Sequence, residues 1–254
     1  MGRIIAFANQ KGGVGKTSSC VNLAACLAEM GKKVLIVDAD PQGNATTGLG
    51  YFKDGIKGSV YNVLSEEKDA RSFVLPTCTD NLFLLPSSID LVGAEVELVY
   101  RENYEKCLKS HLNTLKDEYD YVFEDCPPSL GILTLNALTA ADGIIVPMQC
   151  EYYALESVGR LIYTISIIKQ KINVEPVFEG IVLTMYDGRS LLCRQIEEEV
   201  RAHFGDEVFD TVIPRSIRIS EAPGFGVPVN VHAPASRGAR AYAELAEEFL
   251  EKQQ

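Results

Sequence analysis

Residues 3–17 read Arg3-Ile4-Ile5-Ala6-Phe7-Ala8-Asn9-Gln10-Lys11-Gly12-Gly13-Val14-Gly15-Lys16-Thr17, and a helical pattern runs on from Thr17 to Met30, closed by Gly31. An apolar strand, Arg3 to Asn9, therefore opens into a glycine- and lysine-rich turn that leads directly into a helix. Glycines let successive backbone N–H groups turn toward one point without a Cβ clash and form an anion nest, to which the helix N-terminus adds its positive dipole. These are the physical requirements for holding a chain of phosphates. Lys16 is placed to reach β- and γ-phosphates, and the Thr17 hydroxyl to ligate Mg²⁺.

Outward from that turn, strand-length apolar runs alternate with helical periods: Lys33 to Asp38, Leu82 to Leu85, Tyr119 to Glu124, Gly143 to Met148 and Phe178 to Thr184 are the further strands. Helices are expected over Asp90 to Lys116, Ser129 to Ala140, Leu155 to Lys171 and Leu191 to His203, with a last one from an N-cap at Ser236. Such alternation predicts an α/β fold, a mainly parallel twisted sheet with helices on both faces. No linker divides the chain, so residues 1–254 are expected to form one domain without a separate DNA-binding domain. Two stretches, Ala39 to Gly58 and Thr211 to Pro234, read as long loops, and loops of that length in an α/β domain usually carry function.

Composition narrows the classes. With 46% hydrophobic and 23% charged residues the chain has enough apolar material for a sizeable core. No stretch approaches the roughly 18 apolar residues that span a bilayer, and no signal peptide is evident, so a cytoplasmic protein is expected. Seven dispersed cysteines without a C-x-x-C pair indicate neither disulfides nor a zinc site. A net charge of −11 repels nucleic acid at a distance, so any DNA contact must be local and conditional.

Two acidic clusters end buried strands. Asp38-Ala39-Asp40-Pro41-Gln42-Gly43-Asn44 puts two carboxylates where α/β folds bind ligands, able to orient an attacking water or to hold a metal-bound one. The same residues also suit a strand-end turn. Glu124-Asp125-Cys126-Pro127-Pro128-Ser129 fits an acid that holds Mg²⁺ through water, with Asp125 on the metal side and Glu124 facing solvent or a helix.

The phosphate turn departs from the ordinary pattern, having Gln10 where glycine is usual and a second lysine, Lys11. In this it resembles the deviant Walker A box of the ParA and MinD ATPases. Gln149-Cys150-Glu151-Tyr152-Tyr153-Ala154-Leu155-Glu156, Val212-Ile213-Pro214-Arg215 and Ser220-Glu221-Ala222-Pro223 are similar to ParA/Soj-type chromosome- or plasmid-partitioning ATPases in particular. The resemblance implies a slow, partner-stimulated ATPase that uses ATP and Mg²⁺ and forms an ATP-dependent homodimer. It would bind double-stranded DNA without sequence preference, become nucleoid-associated when ATP-bound, and be reset by a ParB-type protein.

Several residue roles rest on the same resemblance. Lys11 would cross to the partner's nucleotide, and hydrolysis would depend on Asp40. Lys11, Gly12, Gly13, Val14, Gly15, Lys16, Thr17 and Ser18 would wrap the phosphates, Met185 and Pro214 would flank the base, and Asp38 and Asp125 would meet the metal through water. Arg189 and Arg218 correspond to basic positions of Soj-type proteins and are the candidates for DNA. The acidic end, Glu244, Glu247, Glu248 and Glu251, argues against stable membrane association. A MinD-like or polar-localisation ATPase that docks to protein without DNA is the alternative.

Overall fold

Short, uniformly apolar strands have to be covered on both faces, and here they are. The computed structural model describes residues 2–52, 56–172 and 176–253. Its strands are β1 (Arg3–Phe7), β2 (Val34–Asp38), β3 (Leu75–Pro76), β4 (Leu82–Leu85), β5 (Tyr121–Asp125), β6 (Gly143–Gln149) and β7 (Val177–Thr184), in the sheet order β3-β4-β2-β5-β1-β6-β7. Every neighbouring pair is parallel except the two-residue edge strand β3 on β4.

The helices are α1 (Lys16–Glu29), α2 (Asn44–Gly48), α3 (Val60–Ser65), α4 (Leu91–Leu98), α5 (Cys107–Leu115), α6 (Ile132–Ala140), α7 (Ala154–Ile172), α8 (Leu191–Phe204), α9 (Ile217–Glu221), α10 (Val229–His232) and α11 (Arg237–Lys252). Successive strand residues point to opposite faces, and the cores divide accordingly. Ile4 and Ala6 pack with Leu35, Val37 and Val122 under α3 to α8, whereas Ile5 and Phe7 pack with Ile36 and Phe123 under α1 and α11. On the second face the Phe123 ring meets Phe7 at 5.0 Å and Phe249 of α11 edge-on at 6.0 Å. β1 lies between β5 and β6, and the chain leaves these central strands toward opposite edges of the sheet. The carboxyl end of β1 is thus the crevice where this class of sheet takes ligands.

Three expectations change. The helix expected over Asp90 to Lys116 is two, α4 and α5, with a 3₁₀ turn at Tyr104–Lys106 between them. Asn103 takes a left-handed φ of 54°, which ends helical propagation, and the Arg101 guanidinium turns away to bond the Leu64 and Ser65 carbonyls at the end of α3. The two long loops contain short helices, α2 in the first, part of which (residues 53–55) lies outside the described residues, and α9 and α10 in the second.

The third concerns Glu124, for which solvent and a helix were both expected: it lies on the helix-covered face with Ala6 and Val37, and the solvent alternative falls. It is wholly buried, paired in register with Ala6 of β1 and Val37 of β2, and does not reach solvent. Neither carboxyl oxygen has a hydrogen-bond partner, and burial, then the charge of Asp142, holds its pKa well above the usual carboxylate range. The folded chain therefore binds a proton that the unfolded chain releases near pH 4.5, so stability falls as pH rises from there toward the folded value. Glu124→Leu is expected to raise stability by about 1–3 kcal/mol at neutral pH, or about 2–4 °C in Tm per kcal/mol, with the gain widening upward from pH 4.5. Thermal unfolding across pH checks this; a destabilised, pH-independent variant would show that the carboxyl is satisfied.

Candidate functional site

The glycine-rich turn closes over the carboxyl end of β1 in a conformation that only its composition permits. Gly13 and Gly15 take left-handed φ values of 75° and 82°, and Gly15 heads α1 by accepting the Ser19 N–H at 2.8 Å. Side chains lock the turn to both neighbours. Asn9 donates to the Pro147 carbonyl of β6 at 2.8 Å and accepts the Lys11 N–H at 3.0 Å, while the Thr184 hydroxyl at the end of β7 donates to the Val14 carbonyl at 2.7 Å.

Within this frame Lys16 is buried, 7% exposed, and its ammonium donates to the Lys11 carbonyl at 3.2 Å across the open turn. Burial lowers its pKa, opposed by Asp125, Cys126 and Asp40. A cavity of about 450 Å³ opens over it. Its floor is Gly12, Gly13, Gly15, Lys16, Thr17 and Ser18; Asp40, Gln42, Asn44, Thr47 and Gly48 form one wall; Pro128, Met185 and Pro223 form the rest.

The carboxylates sort into different tasks. Asp40 lines the cavity, 6% exposed, with one oxygen held by the Gln42 N–H at 2.9 Å. Asp125, at the end of β5, is completely buried and neither oxygen meets a donor at hydrogen-bonding geometry. Burial and Asp38 push its pKa well up, and the Thr17 hydroxyl and Lys16 pull the other way. An unsatisfied buried carboxylate beside a hydroxyl at the root of a phosphate-sized turn fits a hydrated divalent cation.

Asp38, expected to meet the metal through water, already accepts hydrogen bonds from within the chain on both oxygens. One accepts the Thr46 N–H at 2.8 Å and the Thr46 hydroxyl at 2.6 Å, the other the Asp40 N–H at 3.3 Å, and the residue does not line the cavity. Burial moves its pKa up to about 6 in spite of the bonds from Thr46. Its work is to pin α2, since the Thr46 hydroxyl passes the connection on by accepting the Ser87 N–H at 2.9 Å, and Ser87 returns a bond to the Asp40 carbonyl.

Elsewhere the expected residues divide. Met185 lines the cavity in a left-handed conformation, φ 50°. Pro214 does not; it bridges Tyr186 in a short parallel ladder with Ile213 and Arg215, and Pro223 takes the place at the wall. The Ser220-Glu221-Ala222-Pro223 stretch stood out in the sequence, yet nothing in it signalled a cavity wall. Gln42, Asn44 and Thr47 were also missed, because α2 was read as loop. Val14 is buried, and Lys11 turns off the cavity to pair with Glu151. Arg189 and Arg218 stand far more exposed, paired with Asp187 at 3.1 Å and Glu221 at 2.8 Å.

Comparison with known proteins agrees with this geometry. A family model described as an AAA domain (AAA_31) matches residues 2–176. The chain is 50% identical to the sporulation initiation inhibitor protein Soj of Bacillus subtilis over 98% of both chains. It is 51% identical to the chromosome-partitioning ATPase Soj of Thermus thermophilus, over 99% of this chain and 97% of the relative. Among solved structures, a protein titled cobyrinic acid a,c-diamide synthase from Mycobacterium smegmatis, with bound ATP analog and magnesium, superposes with a TM-score of 0.87 at 39% identity. That match covers 100% of this chain and 96% of the other. Among the described residues no helix is long and apolar enough to cross a membrane.

The Asp38–Thr46–Ser87 chain predicts that Thr46→Val, similar in shape but without the hydroxyl, lowers stability by about 1–3 kcal/mol, because a buried carboxylate and a buried N–H each lose a partner. Urea unfolding with an unchanged slope and a lower midpoint is the expected result; an unmoved midpoint would show that the chain of bonds is not needed.

Proposed function

Because this chain belongs to the family of ParA- and Soj-type partitioning ATPases, we propose that it is an ATP-dependent switch of DNA segregation, slow by itself and reset by a ParB-type partner. The observation that carries the reading is the cavity at β1, lined by Lys16 and Thr17, with the carboxyl of Asp125 buried beneath it, close enough for Thr17 and Lys16 to act on it and without a donor in bonding geometry. One group asks for an anion and the other for a cation, as a magnesium nucleotide supplies.

The turn N–H groups and Lys16 would hold the phosphates, and Thr17, with Asp125 through water, would hold Mg²⁺, which would supply charge neutralisation to the phosphate oxygens. Asp40, facing the cavity with one oxygen on the Gln42 N–H, orients the attacking water. Met185 and Pro223 line the cavity, and Met185 would flank the base. Lys11, outside its own cavity, serves the nucleotide of a second protomer.

The DNA arm of the proposal rests on local charge. At −11 a single protomer repels DNA, but Arg189 and Arg218 stand 93% and 60% exposed, and Arg194, Arg215 and Arg237 join no ion pair among the described residues. Two protomers side by side double that patch. Phosphates have to compete with Asp187 and Glu221 for the two paired arginines.

Lys16→Ala is expected to weaken ATP binding by about a hundredfold or more, since charge-assisted bonds to the phosphates are lost. Asp40→Ala should keep nucleotide affinity and lose about 10²–10⁴ in hydrolysis. Equilibrium binding and single-turnover assays check both, and unchanged affinity in Lys16→Ala would remove the phosphate site.

For DNA, four neutralised phosphates per dimer give a salt slope of about −3.6, so affinity should fall roughly a hundredfold between about 50 and 200 mM salt. Arg189→Glu and Arg218→Glu should weaken binding alike on every sequence. Equal DNA affinity with ADP and with a non-hydrolysable ATP analogue would favour docking to protein without DNA.

A further inference from the structure

The second lysine of the phosphate turn is not idle in the single chain. Lys11 forms an ion pair with Glu151, which stands in the turn between β6 and α7. The placement is built in, because Asn9 ties the start of the turn to Pro147 of β6 and takes the Lys11 N–H, so residue 11 leaves the turn alongside the end of β6. Glu151 is fixed in its own turn by the bond from its N–H to the Gln149 carbonyl and by the Ala154 N–H on its carbonyl, both 2.8 Å. Beside the pair, Tyr152 and Tyr153 stand 79% and 66% exposed.

We infer that Glu151 is a positioning residue that holds Lys11 in its own protomer, and that this pair has to open before Lys11 can serve a second copy of the chain. The inference rests on the proposed reading of Lys11 as a contact made in trans. One ammonium cannot satisfy both the Glu151 carboxylate and a partner's phosphates from the same position, so the pair within the chain competes with the contact between chains. Nucleotide in the partner supplies the stronger anion, and the competition makes association depend on it.

The size of the effect follows from exposure. The two side chains are 37% and 44% exposed, so the pair is weak, and a dimer opens two of them. Glu151→Gln keeps the shape and removes the charge. It is expected to raise the dimer association constant with a non-hydrolysable ATP analogue and Mg²⁺ by about two- to thirtyfold.

Sedimentation equilibrium of the full chain tests this, with Lys11→Ala, the Lys11→Ala/Glu151→Gln double variant, and Glu156→Gln, which breaks the Arg160 pair within the adjoining α7, as companions. The inference expects tighter dimers in Glu151→Gln, no change in Glu156→Gln, monomers in Lys11→Ala, and no gain in the double variant over Lys11→Ala. Glu151→Ala should act in the same direction if Glu151→Gln does not fold. Unchanged or weaker dimers in the Glu151 variants, with Lys11→Ala monomeric, would overturn the latch and leave the trans contact standing. An equal gain in Glu156→Gln, or a gain that persists without Lys11, would reduce it to general surface charge. Lys11→Ala that dimerises like the unaltered chain would remove the trans contact and the latch together.

Discussion

Three carboxylates and one ammonium meet almost out of reach of water where β1, β2 and β5 end. Asp38 and Asp125 are fully buried, Asp40 and Lys16 nearly so, and the pKa shifts of Asp38, Asp125 and Lys16 each record burial first. Charges packed in this way are costly unless paired. Asp38 is satisfied by Thr46, but Lys16 bonds only a carbonyl and Asp125 has no donor in bonding geometry. The fold holds this arrangement because the strands beneath it are anchored from both faces, and the site is left short of one anion and one cation together.

That constraint links the site to the rest of the molecule. The Asp38–Thr46–Ser87 bonds join the ends of β2 and β4 through α2, so the wall that carries Asp40, Gln42 and Asn44 is set by the same residues that relieve Asp38. On the other side Thr184 and Asn9 fix the turn to β7 and β6. The phosphate turn is thereby tied by hydrogen bonds to the β6 and β7 rims, where Glu151 and the loop bearing Arg189 lie.

Much of this was legible in the sequence. The strand, turn and helix around Lys16 follow from glycine spacing and apolar length, and six of the seven strands were readable as apolar runs. What escaped was decided by contacts far apart in the chain. The split after α4 depends on Arg101 reaching the end of α3, and α2 depends on Asp38 accepting from Thr46. The role of Asp38 could not be told from that of Asp125 by pattern, because both end apolar strands with a carboxylate; only the donors around them differ. For Glu124 the sequence left solvent and a helix both open, since a charged residue type gives no sign that it will be held neutral in the core.

The central claim is that the buried lysine and the buried aspartate ask for opposite charges at once, so nucleotide and divalent cation should bind as a unit. Calorimetric titration with ATP in the presence of Mg²⁺ and in the presence of a chelator tests it most directly. The account predicts markedly tighter binding with Mg²⁺ in the unaltered chain and a smaller difference in Asp125→Asn. Equal affinity with and without the metal in the unaltered chain would contradict it.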